Sequence, residues 1–113
     1  MTRDELHTAA LALPGATMNV QWGDDCVYKV GGKMFAATDG AYSNLSFKAT
    51  DIAFEALTET GRARPAPYMA RNKWVNLPRI GDWPDDELAE HLAIAHGIVA
   101  AKLTKKARAA LGL

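Results

Sequence analysis

The pair Gly31-Gly32, set between residues 26–30 and residues 33–38, constrains this chain more than any other feature. Two runs rich in apolar and aromatic residues meet at two positions that both accept φ > 0, which is the backbone a two-residue hairpin turn demands. The turn sets a register in which Val30 opposes Lys33 and Tyr28 opposes Phe35. Opposed side chains share a face. One face then carries Cys26, Tyr28, Val30, Phe35 and Ala37, and the other carries Val27, Lys29, Met34 and Ala36. The first is the more apolar and is expected to face the core.

The segments around the hairpin extend this beginning. Asp39-Gly40 starts a second turn, and residues 44–48 alternate with Leu45 and Phe47 inward and Ser46 and Lys48 outward, giving a three-stranded antiparallel meander. Upstream, Thr2 and Glu5 have the spacing of a capping box. Leu6, Ala9, Ala10 and Leu13 fall on one helical face, and Pro14-Gly15 ends that helix. Downstream, Thr50 or Asp51 caps a second helix running to about Thr58, with Ile52, Ala56 and Leu57 toward the sheet. Residues 62–67 read as a basic loop, Tyr68 onward as extended, residues 73–77 as a strand and residues 78–83 as a connector.

Pro84 suits the first position of a last helix, and Asp85, Asp86 and Glu87 suit its positive end. Leu88, Leu92, Ala95, Val99 and Leu103 repeat at helical spacing. The helix continues to Leu111 or breaks near Thr104, with Lys102, Lys105, Lys106 and Arg108 toward its negative end. The order is helix, three strands, helix, one or two strands, helix. The fold class is therefore α+β, an antiparallel β-sheet with helices packed on one face, within a single domain over residues 1–113.

Composition narrows the function. Apolar residues are 49% and charged residues 23% of the chain, so it can bury a core. Its apolar runs are too short to span a bilayer, and the early acids Asp4 and Glu5 do not suit a signal peptide. With one cysteine, Cys26, an intrachain disulfide and a zinc cluster are excluded, and a reducing cytoplasm is expected. Thirteen Lys and Arg balance thirteen Asp and Glu, which argues against a general polyanion binder but leaves room for a local basic face. Residues 62–79 hold five basic side chains and no acid.

Few residues combine into chemistry. His91 and His96 are five apart and do not share a helix face, and His7 is isolated, so no metal or other cofactor is expected. Cys26 lies on the inferred core face with nothing nearby in sequence to activate it. Ser43 and Ser46 lack a nucleophile elbow. Asp24 and Asp25 point to opposite sides of an extended chain. Gly31-Gly32-Lys33 lacks the spacing of a phosphate loop. No catalytic residue emerges, and no enzyme is expected.

One constellation remains. Lys29 and Lys48 lie on the less apolar sheet face, and Arg71, Lys73, Trp74 and Arg79 lie along the later strand. Cations on a sheet face or hairpin wing can contact phosphates, and an exposed tryptophan can stack on bases. The plainer alternative is that the lysines solvate an open sheet face and Trp74 packs in the core.

Several segments in order resemble the MmcQ/YjbR family. They are Pro14-Gly15-Ala16, residues 28–36 (YKVGGKMFA), residues 45–49 (LSFKA), residues 68–75 (YMARNKWV) and residues 84–88 (PDDEL). The resemblance spans nearly the whole chain. It implies a CyaY-like α+β fold and a double-wing DNA-binding protein, with DNA as the partner; the short apolar runs give no expectation of a membrane partner. Lys73 stands where relatives often have histidine. The frataxin-like fold also invites an iron reading, for which the corresponding region offers only Asp4, Glu5, Asp24 and Asp25. The alternative to DNA binding is a small protein- or ligand-binding module using the same sheet face. Charge geometry separates the two: cations gathered on one carboxylate-free face favour nucleic acid, and scattered or acid-paired cations favour the module.

Overall fold

The structure, a computed structural model, describes residues 1–67 and 69–113. Among the described residues the elements are, in chain order, α1 (Arg3–Leu11), β1 (Ala16–Gln21), β2 (Asp25–Val30), β3 (Lys33–Thr38), β4 (Leu45–Lys48), α2 (Asp51–Glu59), β5 (Arg64–Pro65), β6 (Trp74–Leu77), α3 (Asp85–Ala100) and α4 (Lys105–Ala110), with 3-10 turns at Ala70–Asn72 and Ile80–Asp82. The strands form one six-stranded sheet in the order β1-β2-β3-β4-β6-β5, antiparallel at every pairing.

The central hairpin forms as its turn demands. Gly31 and Gly32 have φ of 58° and 78°, and Val30 pairs with Lys33. The register then departs from simple alternation. Lys29 pairs with Met34 but Tyr28 pairs with Ala36, so Phe35 is the extra residue of a β-bulge. The expected pairing of Tyr28 with Phe35 is thereby corrected, and the faces exchange beyond the bulge. Ala36 joins Tyr28, Val30 and Phe35 in the core, while Ala37 pairs with Val27 on the opposite side. Both aromatic rings still face the helices, and Phe35 meets His96 of α3 edge-on at 5.4 Å between ring centres.

All four helices feed one core on one face of the sheet. Leu6 and Ala10 of α1, Leu57 of α2 and Leu88, Leu92, Ala95 and Val99 of α3 pack with Leu45, Phe47, Val75 and Leu77, and Ala107 of α4 with Leu111 just beyond it closes the edge. The capping box of Thr2 and Glu5 is present. Thr50 caps α2 and Thr104 caps α4. His91 stacks on Phe47 at 5.0 Å, and His96 is buried with Nε2 2.7 Å from the Pro14 carbonyl oxygen. Among the described residues no three His, Cys, Asp or Glu side chains gather in a group that could hold a metal ion.

Several local expectations are corrected. Residues 16–21, to which the sequence reading assigns no element, pair continuously with β2 as strand β1. Residues 64–65 of the basic loop form the short edge strand β5, and Met69 onward is a turn leading into a 3-10 helix rather than extended chain. Tyr68 lies outside the described residues. In α2 the buried stripe is Ala53, Phe54 and Leu57, because those side chains offer more apolar area than Ile52 and Ala56 one step around the helix; Ile52 is 83% exposed. Pro84 is the extended N-cap rather than the first helical residue. The last helical run breaks at Thr104, so Lys105 and Lys106 sit in the first turn of α4, not toward a negative helix end.

The two turn glycines are not equivalent. A Cβ at Gly31 would stand 2.7 Å from both Cδ atoms of Leu103, whereas one at Gly32 would meet open space. Gly32→Ala should therefore lose about 1 kcal/mol from left-handed backbone strain alone, and Gly31→Ala distinctly more. Urea denaturation checks this, and equal losses would show that the Leu103 contact is not tight.

Candidate nucleic-acid interface

The basic residues assemble at one end of β4 and β6. Lys48, at the last position of β4, pairs with Trp74 on β6, and its outward side chain donates from Nζ to the Asn72 carbonyl. That carbonyl is presented by the 3-10 turn Ala70–Asn72, which Lys73 closes by taking φ 62°, a left-handed backbone uncommon for a residue with a side chain. The Lys73 carbonyl accepts from Ala49 N–H at 3.0 Å, and its ammonium lies 5.1 Å over the Phe54 ring of α2. Arg71 is exposed on the same turn. Lys48, Arg71 and Lys73 thus lie on or against the same turn.

A further cation joins them. Lys102 follows the end of α3, and its charge reaches Lys48. Partial burial holds the Lys48 ammonium below its ordinary value, and the charges of Lys102 and Lys73 lower it further, against an opposing effect of Asp51. The sequence suggested for Lys102 only the role of complementing a helix end. Its arrival beside β4 follows from where α3 stops, and the helical pattern of the sequence left that point open.

The other expected site residues separate from this group. Lys29 lies on the same sheet face two strands away, about 10 Å at the usual strand spacing. It is level with Met34, so it extends the patch across β3. Arg79 lies beyond the far end of β6 and pairs with Asp82 at 3.6 Å. Trp74 is 6% exposed, which corrects the expectation of a tryptophan free to stack on a base. It falls on the face of β6 opposite Val75 and Leu77, and β6 is buried along its whole length.

Arg62 is likewise committed. Its guanidinium sits 4.1 Å over Trp83 and grips Glu87 through both terminal nitrogens at 3.4 and 2.7 Å, at the mouth of a cleft of about 210 Å³ lined also by Gly61, Pro78, Arg79 and Asp82. Arg64 donates from Nε to Asn76 Oδ1 at 2.9 Å, and Asn76 donates in turn to Ser46 Oγ and Asn44 Oδ1. Among the described residues the ion pairs involve Asp85, Glu87 and Asp82, and Lys29, Lys48, Arg71, Lys73 and Lys102 enter none of them. The face that forms is smaller than expected, without Arg79 and Trp74, and it gains Lys102.

An open antiparallel sheet backed by helices on one face, with cations gathered at one end of its strands β4 and β6, defines a small α+β domain with a basic end. Comparison with known proteins places it more narrowly. A family model described as YjbR matches residues 11–98, and the chain belongs to that family. The crystal structure of Deinococcus radiodurans protein DR2400, described as a DUF419 domain, superposes with a TM-score of 0.87 at 29% sequence identity, covering 99% of this chain and 88% of that one. No curated protein matches. No helix among the described residues is long and apolar enough to cross a membrane.

Because like charge contributes to lowering Lys48, Lys102→Gln and Lys73→Gln should each raise its pKa toward the ordinary lysine value without fully restoring it, burial being the larger cause. Side-chain NMR titration measures this directly. An unchanged Lys48 in both variants would mean that the three ammonium groups do not form one patch.

Proposed function

We propose that this protein is a non-enzymatic, cytoplasmic DNA-binding protein that grips the phosphate backbone with Lys48, Arg71, Lys73 and Lys102, extended by Lys29. The observation that carries the reading is that Lys102 and Lys73 both lie close enough to Lys48 to disfavour its charge, against an opposing effect of Asp51, with none of the three lysines in an ion pair among the described residues. A chain with no net charge that gathers unpaired cations at one place creates a local positive field. A polyanion relieves that repulsion by supplying phosphates and releasing its own counterions.

The chemistry is phosphate positioning rather than base reading. Lysines are point charges with freely rotating donors, and the one tryptophan in the set is buried. Arg71 alone offers a planar fork. Binding should therefore be salt-dependent and nearly indifferent to base sequence. The family resemblance supports the same reading, and the lone cysteine of the sequence supports the cytoplasmic assignment.

Fluorescence anisotropy with labelled duplex and single-stranded DNA across a salt series tests the proposal. Affinity should fall steeply with salt, and each of Lys48→Gln, Lys73→Gln and Lys102→Gln should reduce the slope on duplex by about 0.9. Lys48→Glu with Lys73→Glu should abolish binding, while Lys105→Glu with Lys106→Glu should leave most of it. Absence of binding to either DNA at low salt would overturn the reading.

A further inference from the structure

The two edges of the sheet are built differently. The β5 edge is two residues long and consists of an arginine and a proline, Arg64 and Pro65. Short length, charge and proline are the devices that stop a sheet edge from pairing with another chain. The β1 edge uses none of them. It is six residues long, its sequence ATMNVQ has no charge and no proline, and it pairs with β2 in unbroken register from Ala16 to Gln21. Among the described residues its other side has no strand partner. Val20 is 58% exposed on this strand, and Trp22, just past its end, is 65% exposed with φ 52°.

The two ends of β1 carry opposite charge. At the Gln21 end, Asp24 and Asp25 stand with Asp39, crowded enough that burial and then the Asp24 and Asp39 charges push the Asp25 carboxyl above its usual range. At the Ala16 end, Gly15 lies directly against Leu111, just past the end of α4; a Cβ on that glycine would stand 3.3 Å from the leucine Cβ. α4 carries Lys105, Lys106 and Arg108, all exposed and outside the ion pairs of the described residues. The helix itself does not account for Lys105 and Lys106, since its first turn disfavours cations.

We propose that two copies of this chain pair through β1, antiparallel about a two-fold axis, to make one continuous sheet. Antiparallel pairing brings the Gln21 end of each strand to the Ala16 end of the other. The acidic tip of each copy then meets the basic α4 of its partner, and Trp22 lands beside α4, where Ala109 and Ala110 are exposed. The same complementarity disfavours nucleic acid as the occupant of this edge, because phosphates would face the three aspartates. A strand of six residues spans about 20 Å. The contact is therefore at the small end of specific interfaces, and the dimer is a weak, concentration-dependent one. This inference rests on the β1 edge, the acidic tip and α4, and the nucleic-acid reading on Lys48, Arg71, Lys73 and Lys102 about β4 and β6, so neither requires the other.

Sedimentation across a concentration series, with amide hydrogen exchange at its two extremes, tests the pairing. The expected result is a monomer–dimer equilibrium in which amides of residues 16–21 gain protection as the dimer forms. Val20→Lys should abolish it. Asp25→Lys and Arg108→Glu should each weaken self-association by at least about tenfold, or 1.4 kcal/mol. Mixing those two variants should restore it, because every tip then faces an α4 of opposite charge. The wild-type exchange measurement decides the question even if a variant folds poorly. A monomer at every concentration overturns the proposal. So does a dimer whose residues 16–21 exchange as in the monomer, and so does a mixture no tighter than either variant alone.

Discussion

The seat of Leu103 on the Gly31-Gly32 turn is the contact on which the rest of the molecule depends. The turn needs two positive φ values, and glycine supplies them without strain. The missing Cβ at Gly31 is also what lets Leu103 close down on the turn. One contact thus joins the tip of the central hairpin to the chain between α3 and α4. It anchors the link between the end of α3 at Ala100 and the start of α4, which Thr104 caps. Lys102, the residue before Leu103, is thereby held near Lys48. α4 is carried across toward Gly15, where Leu111 completes the closure. The basic patch and the basic end of the β1 edge both descend from this one piece of packing.

Much of the architecture was legible because it rests on local chemistry. The capping box at Thr2 and Glu5, the hairpin turn, the alternation through Leu45 and Phe47, and the apolar stripe of α3 each state their structure within a few residues. The failures share a cause, which is a decision taken outside the local window. Nothing near Phe35 announces the bulge. It lets Phe35 reach His96 while Tyr28 keeps its own place in the core, and only the packing of α3 makes that worthwhile. α2 offers two apolar stripes, and the position of β5 and β6 selects the one with Phe54 and Leu57. β1 does alternate, with Ala16 and Met18 packed toward the core and Thr17 and Asn19 outward. Its residues are small or polar, so the period went unheard.

The candidate site was half legible for the same reason. Lys48 follows from the outward phase of β4, and Arg71 and Lys73 from their nearness to β6. Arg79 sits close to them in sequence, but β6 carries the chain to the opposite end of the sheet, where Arg79 lies 3.6 Å from Asp82. Lys102 is distant in sequence and arrives through α3. The balanced charge of the whole chain conceals two poles, a basic end of β4 and β6 and an acidic tip between β1 and β2. The proposed phosphate contact uses the first, and the proposed self-pairing sets the second against the basic α4 of a partner copy.

The central claim is that Lys48, Lys73 and Lys102 form one phosphate-binding face. The most direct measurement is an NMR titration of isotope-labelled protein with a short duplex of arbitrary sequence. The account predicts shifts concentrated at Lys48, Arg71 to Lys73 and Lys102, with a lesser effect at Lys29, fading together as salt rises. Shifts confined to Arg79 and the Arg62–Trp83 cleft, or to Trp22 and the β1 edge, would contradict it, as would a spectrum that duplex DNA leaves unchanged at low salt.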